Sequence, residues 1–220
     1  MANSAIYLRH FKHNLLALSL EKRQKAGEQA SRQPKNSFSS HTQMSTRRCF
    51  VALDLPDEIK DAVVQAQQGL RLQYPELRYT SPKNLHLTLK FLGELNVEQC
   101  EQVIKRLQDC RCPALSIRLA GAGTFPPKIV WLAINGANAI QRQVDVALGK
   151  IIRRENRFMG HVTIARTKNM AEGFKKNVES LHVQQVYSKA TTFSLQESHL
   201  TTLESRYQPI ARFSFSAKVD

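Results

Sequence analysis

One short pattern occurs twice in this chain of 220 residues: His86-Leu87-Thr88-Leu89 and, seventy-five positions later, His161-Val162-Thr163-Ile164. Alternation of polar and aliphatic residues marks a half-buried β-strand, in which residues i and i+2 share a face. The pattern predicts His86, Thr88 and Lys90 on one face, with Leu85, Leu87, Leu89 and Phe91 on the other. By the same alternation His161, Thr163 and Ala165 lie together, opposite Val162, Ile164 and Arg166. A single His-x-Thr-x strand is usually a satisfied, half-buried histidine. Two copies with the same polar face point instead to a duplicated, two-lobed fold. Its paired strands would line one cleft with two imidazoles and two hydroxyls.

The surrounding segments read as α+β. Arg48 to Leu53 is strand-like, and Pro56 followed by Asp57 and Glu58 has the composition of a helix start. Ile59, Ala62, Val63, Ala66 and Leu70 then recur at helical spacing. Leu85 to Leu92 reads as a strand that stops at Gly93, and Asn96 with Gln99 as a capping box for a helix whose apolar face carries Cys100, Val103, Ile104 and Leu107. Strands are expected at Leu115 to Leu119 and Ile129 to Ile134, flanking a Gly121 to Pro127 connection. Ile140, Val144, Leu148 and Ile151 mark a further helix, and strands at Phe158 to Thr167, Thr191 to Leu195 and Tyr207 to Ala217 close the chain. The class expected is α+β, with about seven to nine strands and three or four helices.

Composition divides the chain near Thr46. Residues 1–45 hold seven basic and two acidic residues, and 29–45 are polar and Ser-rich, with too little apolar surface to offset the entropy of ordering. Residues 6–25 have the spacing of a basic amphipathic helix, and Met44 lies where a native start would be expected. The organisation expected is therefore a disordered, dispensable extension over 1–45 and one domain over 46–220. The whole chain carries a formal charge of +14, which favours a polyanionic partner through counterion release. No apolar run is long enough to span a bilayer. Cys49, Cys100, Cys110 and Cys112 show no zinc-binding spacing, and they suit a reduced, cytoplasmic setting.

Two imidazoles near neutrality can divide general base and general acid work, because an unperturbed pKa of about 6.5 lets each populate the form required. Threonine hydroxyls suit non-bridging phosphate oxygens, and neither motif contains a carboxylate that would demand a metal.

The twin motifs, together with Arg48-Cys49-Phe50-Val51-Ala52-Leu53-Asp54-Leu55-Pro56, Asn84 to Gly93, Gly123-Thr124-Phe125-Pro126 and Phe158 to Arg166, resemble the 2H phosphoesterase superfamily. The likeness is greatest to its RNA 2′,3′-cyclic phosphodiesterases, historically called 2′-5′ RNA ligases, and runs from about Arg47 to Ser216. It departs at Gly160, where many members have proline. The resemblance implies a two-lobed fold of two antiparallel-rich sheets with outer helices around a central cleft, related by a pseudo-two-fold axis. It implies hydrolysis of RNA 2′,3′-cyclic phosphate ends, tRNA fragments among them, to 2′-phosphomonoesters with no cofactor or metal, and nothing in the sequence suggests more than a monomer. It implies His86 as proton donor, His161 as proton acceptor, and Thr88 and Thr163 on the phosphate. Lys90 and Arg166 are further candidates for the phosphate, although simple alternation turns Arg166 away unless the strand bulges there. Two alternatives follow from the same cleft: end joining by the reverse reaction, and a module that binds RNA ends without turnover.

Overall fold

The alternating and helical periods translate into nine strands and four α-helices among the described residues. The computed structural model describes residues 46–154, 157–168, 170, 172–200 and 205–215. The expectations for residues 1–45, including the basic helix and the start at Met44, lie outside them.

β1 (Arg47–Leu53) is buried from Cys49 onward. α1 (Asp57–Gln73) follows, with Asp57 and Glu58 in its first turn complementing the helix dipole and Ile59, Ala62, Val63, Ala66 and Leu70 buried. β2 (Arg78–Tyr79) and a 3-10 turn (Pro82–Asn84) lead into β3 (Leu87–Leu95). The expected capping box forms at α2 (Val97–Leu107): Asn96 accepts from the Gln99 N–H while the Gln99 side chain accepts from the Asn96 N–H. β4 (Leu115–Phe125) and β5 (Ile129–Asn135) form a hairpin, followed by α3 (Asn138–Leu148), β6 (His161–Arg166) and α4 (Phe174–Glu179). β7 (Tyr187–Ala190), β8 (Thr192–Leu200) and β9 (Ser205–Ser214) complete the order.

Two boundaries differ from expectation. β3 does not stop at Gly93; a positive φ of 76° lets that glycine continue the strand opposite Cys49, and pairing runs on to Leu95. The Gly121 to Phe125 stretch is strand rather than connection, because β4 pairs with β5 as far as Phe125 opposite Ile129.

The sheet order is β7-β4-β5-β6-β3-β1-β8-β9, with β2 added to β6. The sequence is symmetric about its centre: β6 corresponds to β3, β5 to β1, β4 to β8 and β7 to β9. Two antiparallel halves therefore carry one motif strand each. The motif strands β3 and β6 join through a single residue pair, Leu87 opposite Val162, so the expected two sheets meet as one continuous sheet.

The helices exchange sides. α1 links two strands of the first half yet packs on β6 and β7 of the second, whereas α3 links two strands of the second half and packs on β3 of the first. The core between helices and sheet contains Leu87, Leu89, Val162 and Ile164, the aliphatic partners of the two motifs.

Candidate active site

Both motif strands bulge at the same place. Across from β1, Ala52 pairs with Thr88 and Val51 with Lys90, which leaves Leu89 unmatched. Across from β5, Trp131 pairs with Thr163 and Val130 with Ala165, which leaves Ile164 unmatched. A bulge inserts one residue and shifts the alternation beyond it. Up to Thr88 and Thr163 the expected faces hold: Leu87 and Val162 are buried, while the histidines and threonines are half-exposed. Beyond the bulge they invert.

The inversion corrects one placement and fulfils the exception allowed for another. Lys90 does not share the His86 face. It is 2% exposed and lies on the core side, where its Nζ is salt-bridged to Asp145 of α3 and donates to the Arg153 carbonyl at 2.7 Å. It is therefore turned away from any phosphate in the cleft. Arg166, shifted by the Ile164 bulge, is exposed on the face of His161 and Thr163. Its counterpart in the first half is Phe91, also exposed.

Each histidine is held in the same way. His86 Nδ1 lies 2.7 Å from the carbonyl of Asn84, and His161 Nδ1 lies 2.8 Å from the carbonyl of Met159, both two residues upstream. A carbonyl oxygen only accepts, so Nδ1 carries the proton in each ring and Nε2 is left for proton transfer. Thr88 Oγ1 lies 3.2 Å from His86 Nε2. Extending the Leu87–Val162 register by one residue sets His86 across from Thr163 and Thr88 across from His161. The two imidazoles thus sit diagonally about the pseudo-two-fold axis.

Their surroundings differ. Phe50 packs on His86 at 4.9 Å between ring centroids and Tyr207 meets it edge-on at 4.9 Å. Burial pushes the His86 pKa below the ordinary histidine value; the Asn84 carbonyl opposes this, His161 adds to it, Asp54 opposes it and Arg166 adds to it. Asp54 accepts hydrogen bonds from Thr192 and Ser194 at 2.8 Å each and is paired with Arg212 at 3.1 Å.

On the other side, Phe125 meets His161 edge-on at 5.1 Å, and Trp131 lies 5.3 Å from Phe125. Trp131, in the otherwise apolar run of β5, is not a core residue. It is half-exposed on the His161 face, its indole lying over Gly123, where a Cβ would stand 2.3 Å from the ring. Gly123 is thus the clearance that lays the indole flat.

Several contributors escaped the sequence reading. Arg78 is paired opposite Arg166 across β2 and β6, so two cations stand side by side at one end of this face. Asn84 and Met159 are separated by the same seventy-five positions as the histidines, and that spacing was a signal available in advance. Among the described residues, no three His, Cys, Asp or Glu side chains gather where they could hold a metal ion.

A model of the LigT-like phosphoesterases matches residues 53–131. An RNA 2′,3′-cyclic phosphodiesterase of Methanothermobacter thermautotrophicus is 30% identical over 174 residues, covering 70% of this chain and 91% of that protein. The Archaeoglobus fulgidus protein of the same name is 28% identical, covering 76% and 99%. Among solved structures, Escherichia coli LigT complexed with 3′-AMP is 25% identical with a TM-score of 0.62, and TT0787 of Thermus thermophilus is 25% identical with a TM-score of 0.65. Each covers 78% of this chain and 99% of the other.

Proposed function

The chain belongs to the LigT-like phosphoesterase family of 2H phosphoesterases, and from that premise we propose that it hydrolyses 2′,3′-cyclic phosphate ends of RNA to 2′-phosphomonoesters. The observation that carries the proposal is the matched pair of imidazoles. Each is anchored through Nδ1 to the carbonyl two residues upstream, and each keeps Nε2 for proton transfer beside a threonine on a shared face.

In this reading His161 Nε2 takes a proton from water as the water oxygen attacks phosphorus. The bond from phosphorus to the 3′ oxygen breaks, and His86 Nε2–H supplies that oxygen with its proton. Water adds across one P–O bond, leaving a 2′-phosphate and a 3′-hydroxyl. Thr88 and Thr163 donate to the non-bridging oxygens as charge builds there, and Arg166 faces the same charge. The burial that keeps free His86 neutral is countered once a phosphate anion enters, since an adjacent negative charge favours the imidazolium. Binding therefore charges the acid at the moment it is needed.

A cyclic phosphate terminates its strand, so RNA extends from it in the 5′ direction only. The cations at Arg78 and Arg166 supply a phosphate-attracting edge on one side of the cleft, in keeping with the basic charge of the chain. The four cysteines are buried free thiols, which suits a reducing compartment such as the cytoplasm.

The test is incubation with an oligoribonucleotide ending in a 2′,3′-cyclic phosphate, in the presence of EDTA, with products resolved by mass and phosphatase sensitivity. Conversion to a 2′-phosphate is expected. Exclusive formation of a 3′-phosphate would contradict the assignment of the leaving oxygen. Binding without turnover would favour the module that only holds RNA ends.

A further inference from the structure

The two motif strands share one ladder pair, and the two-residue β2 adds only Arg78–Arg166 and Tyr79–Ala165 between the halves, which by themselves leave their mutual angle weakly held. Two buried polar contacts span them at equivalent places. From α1, Gln67 Nε2 donates to the carbonyl of Ile164 at 2.8 Å and to that of Thr80 at 2.8 Å, and Thr80 N–H donates to the same Ile164 carbonyl at 2.9 Å. Ile164 is the bulge residue of the second motif. From α3, Asp145 accepts the buried Nζ of Lys90, the residue that follows the bulge of the first motif, and Lys90 also donates to the Arg153 carbonyl on the stretch leading to β6. Each crossover helix thus reaches from its own half to the opposite motif, one residue or two beyond the threonine.

We infer that Gln67 and the Lys90–Asp145 pair are positioning residues, a reciprocal pair of clasps that sets the separation of His86 and His161 across the cleft. The inference rests on the proposed two-histidine reaction. General acid and general base must face each other across one phosphorus, so a change in the angle between the halves misplaces both. Neither clasp touches substrate: Gln67 and Lys90 are 5% and 2% exposed, on the core side of the sheet. A buried ion pair is a poor device for stability alone, because apolar residues of similar volume often serve as well or better. Its geometry is what an apolar replacement cannot reproduce.

That difference defines the experiment. Lys90→Met with Asp145→Leu replaces the ion pair by apolar packing, and Gln67→Met removes the other clasp without introducing a charge. If the clasps position the histidines, each folded variant shows kcat reduced by about 10- to 100-fold, the scale of a displacement near 1 Å, with KM changed by less than about 2-fold. The double variant should do so even where its melting temperature equals that of the wild type. Wild-type kcat in a folded Lys90→Met/Asp145→Leu or Gln67→Met protein would overturn the inference. Should the double variant fail to fold, Gln67→Met alone decides. NMR titration of the imidazoles reads the same geometry without turnover: His86 should titrate closer to an ordinary histidine in the variants, since His161 and close packing both act on it. An unchanged titration would overturn the inference as well. Absence of turnover by the wild-type protein would instead remove the proposed reaction and leave the titration as the test.

Discussion

At the scale of single residues, the two histidines are alike in sequence and in anchoring but not in environment. His86 lies among Phe50, Tyr207 and Thr88, and the burial they impose lowers its proton affinity. Folded His86 therefore binds a proton less readily than an unfolded histidine. Stability that is whole above about pH 6.5 should fall as the pH drops below that value. As proton donor His86 must carry its proton to act, so its titration in kcat/KM, the loss of that proton as the pH rises, is expected below pH 6.5, about the ordinary histidine value, and its titration in kcat at higher pH, because bound phosphate favours the imidazolium. Rate profiles between pH 4 and 9 would check this (roughly the range over which imidazoles titrate); a kcat/KM profile with no titration below the ordinary value would contradict it. That the two histidines share a face with a threonine each was legible from the doubled motif alone. The asymmetry was not, since it comes from Phe50 and Tyr207 on other strands, and no local pattern ties them to His86.

At the scale of elements, the bulges decide which side chains reach the cleft. Alternation was sufficient as far as Thr88 and Thr163 and failed immediately after, sending Lys90 to the core and bringing Arg166 to the cleft face. A bulge is a property of two paired strands, and the residues of one strand do not announce it. Caps and helix faces are local by contrast, which is why Asn96 with Gln99 and the apolar face of α1 were readable in advance. Gly160 belongs to the non-local class. A Cβ there would stand 2.3 Å from the carbonyl oxygen of Ile134, and the Gly160 carbonyl accepts from Ile134 N–H at 2.9 Å. This glycine lets the strand press against β5, between Met159, whose carbonyl orients the ring, and His161 itself. Gly160→Ala should push β6 outward, cost about 1–3 kcal/mol of stability as an overpacked site, and lower kcat by about 100-fold. Chemical denaturation and steady-state kinetics of the variant measure both, and a variant with wild-type values would show that the backbone yields there without moving the histidine.

At the scale of the whole molecule, the duplication in sequence becomes a symmetric strand order whose two halves each contribute one imidazole, one threonine and one crossover helix. The duplicated class of fold was legible because the motif recurs. The exchange of helices between halves was not, because their apolar faces fit either side of the sheet equally well in pattern. Symmetry is broken where substrate would enter: Phe91 marks one end and Arg166 with Arg78 the other. The central claim is that the two halves act as one proton-transfer unit. Kinetics of His86→Ala, His161→Ala and the double variant on one cyclic-phosphate oligonucleotide, with folding checked by circular dichroism, tests it most directly. Groups that act as a unit are strongly non-additive. Each single variant is predicted to lose at least about 1,000-fold in kcat, as for triad members that act together, and the double variant little more. A folded single variant that retains near wild-type turnover would contradict the account.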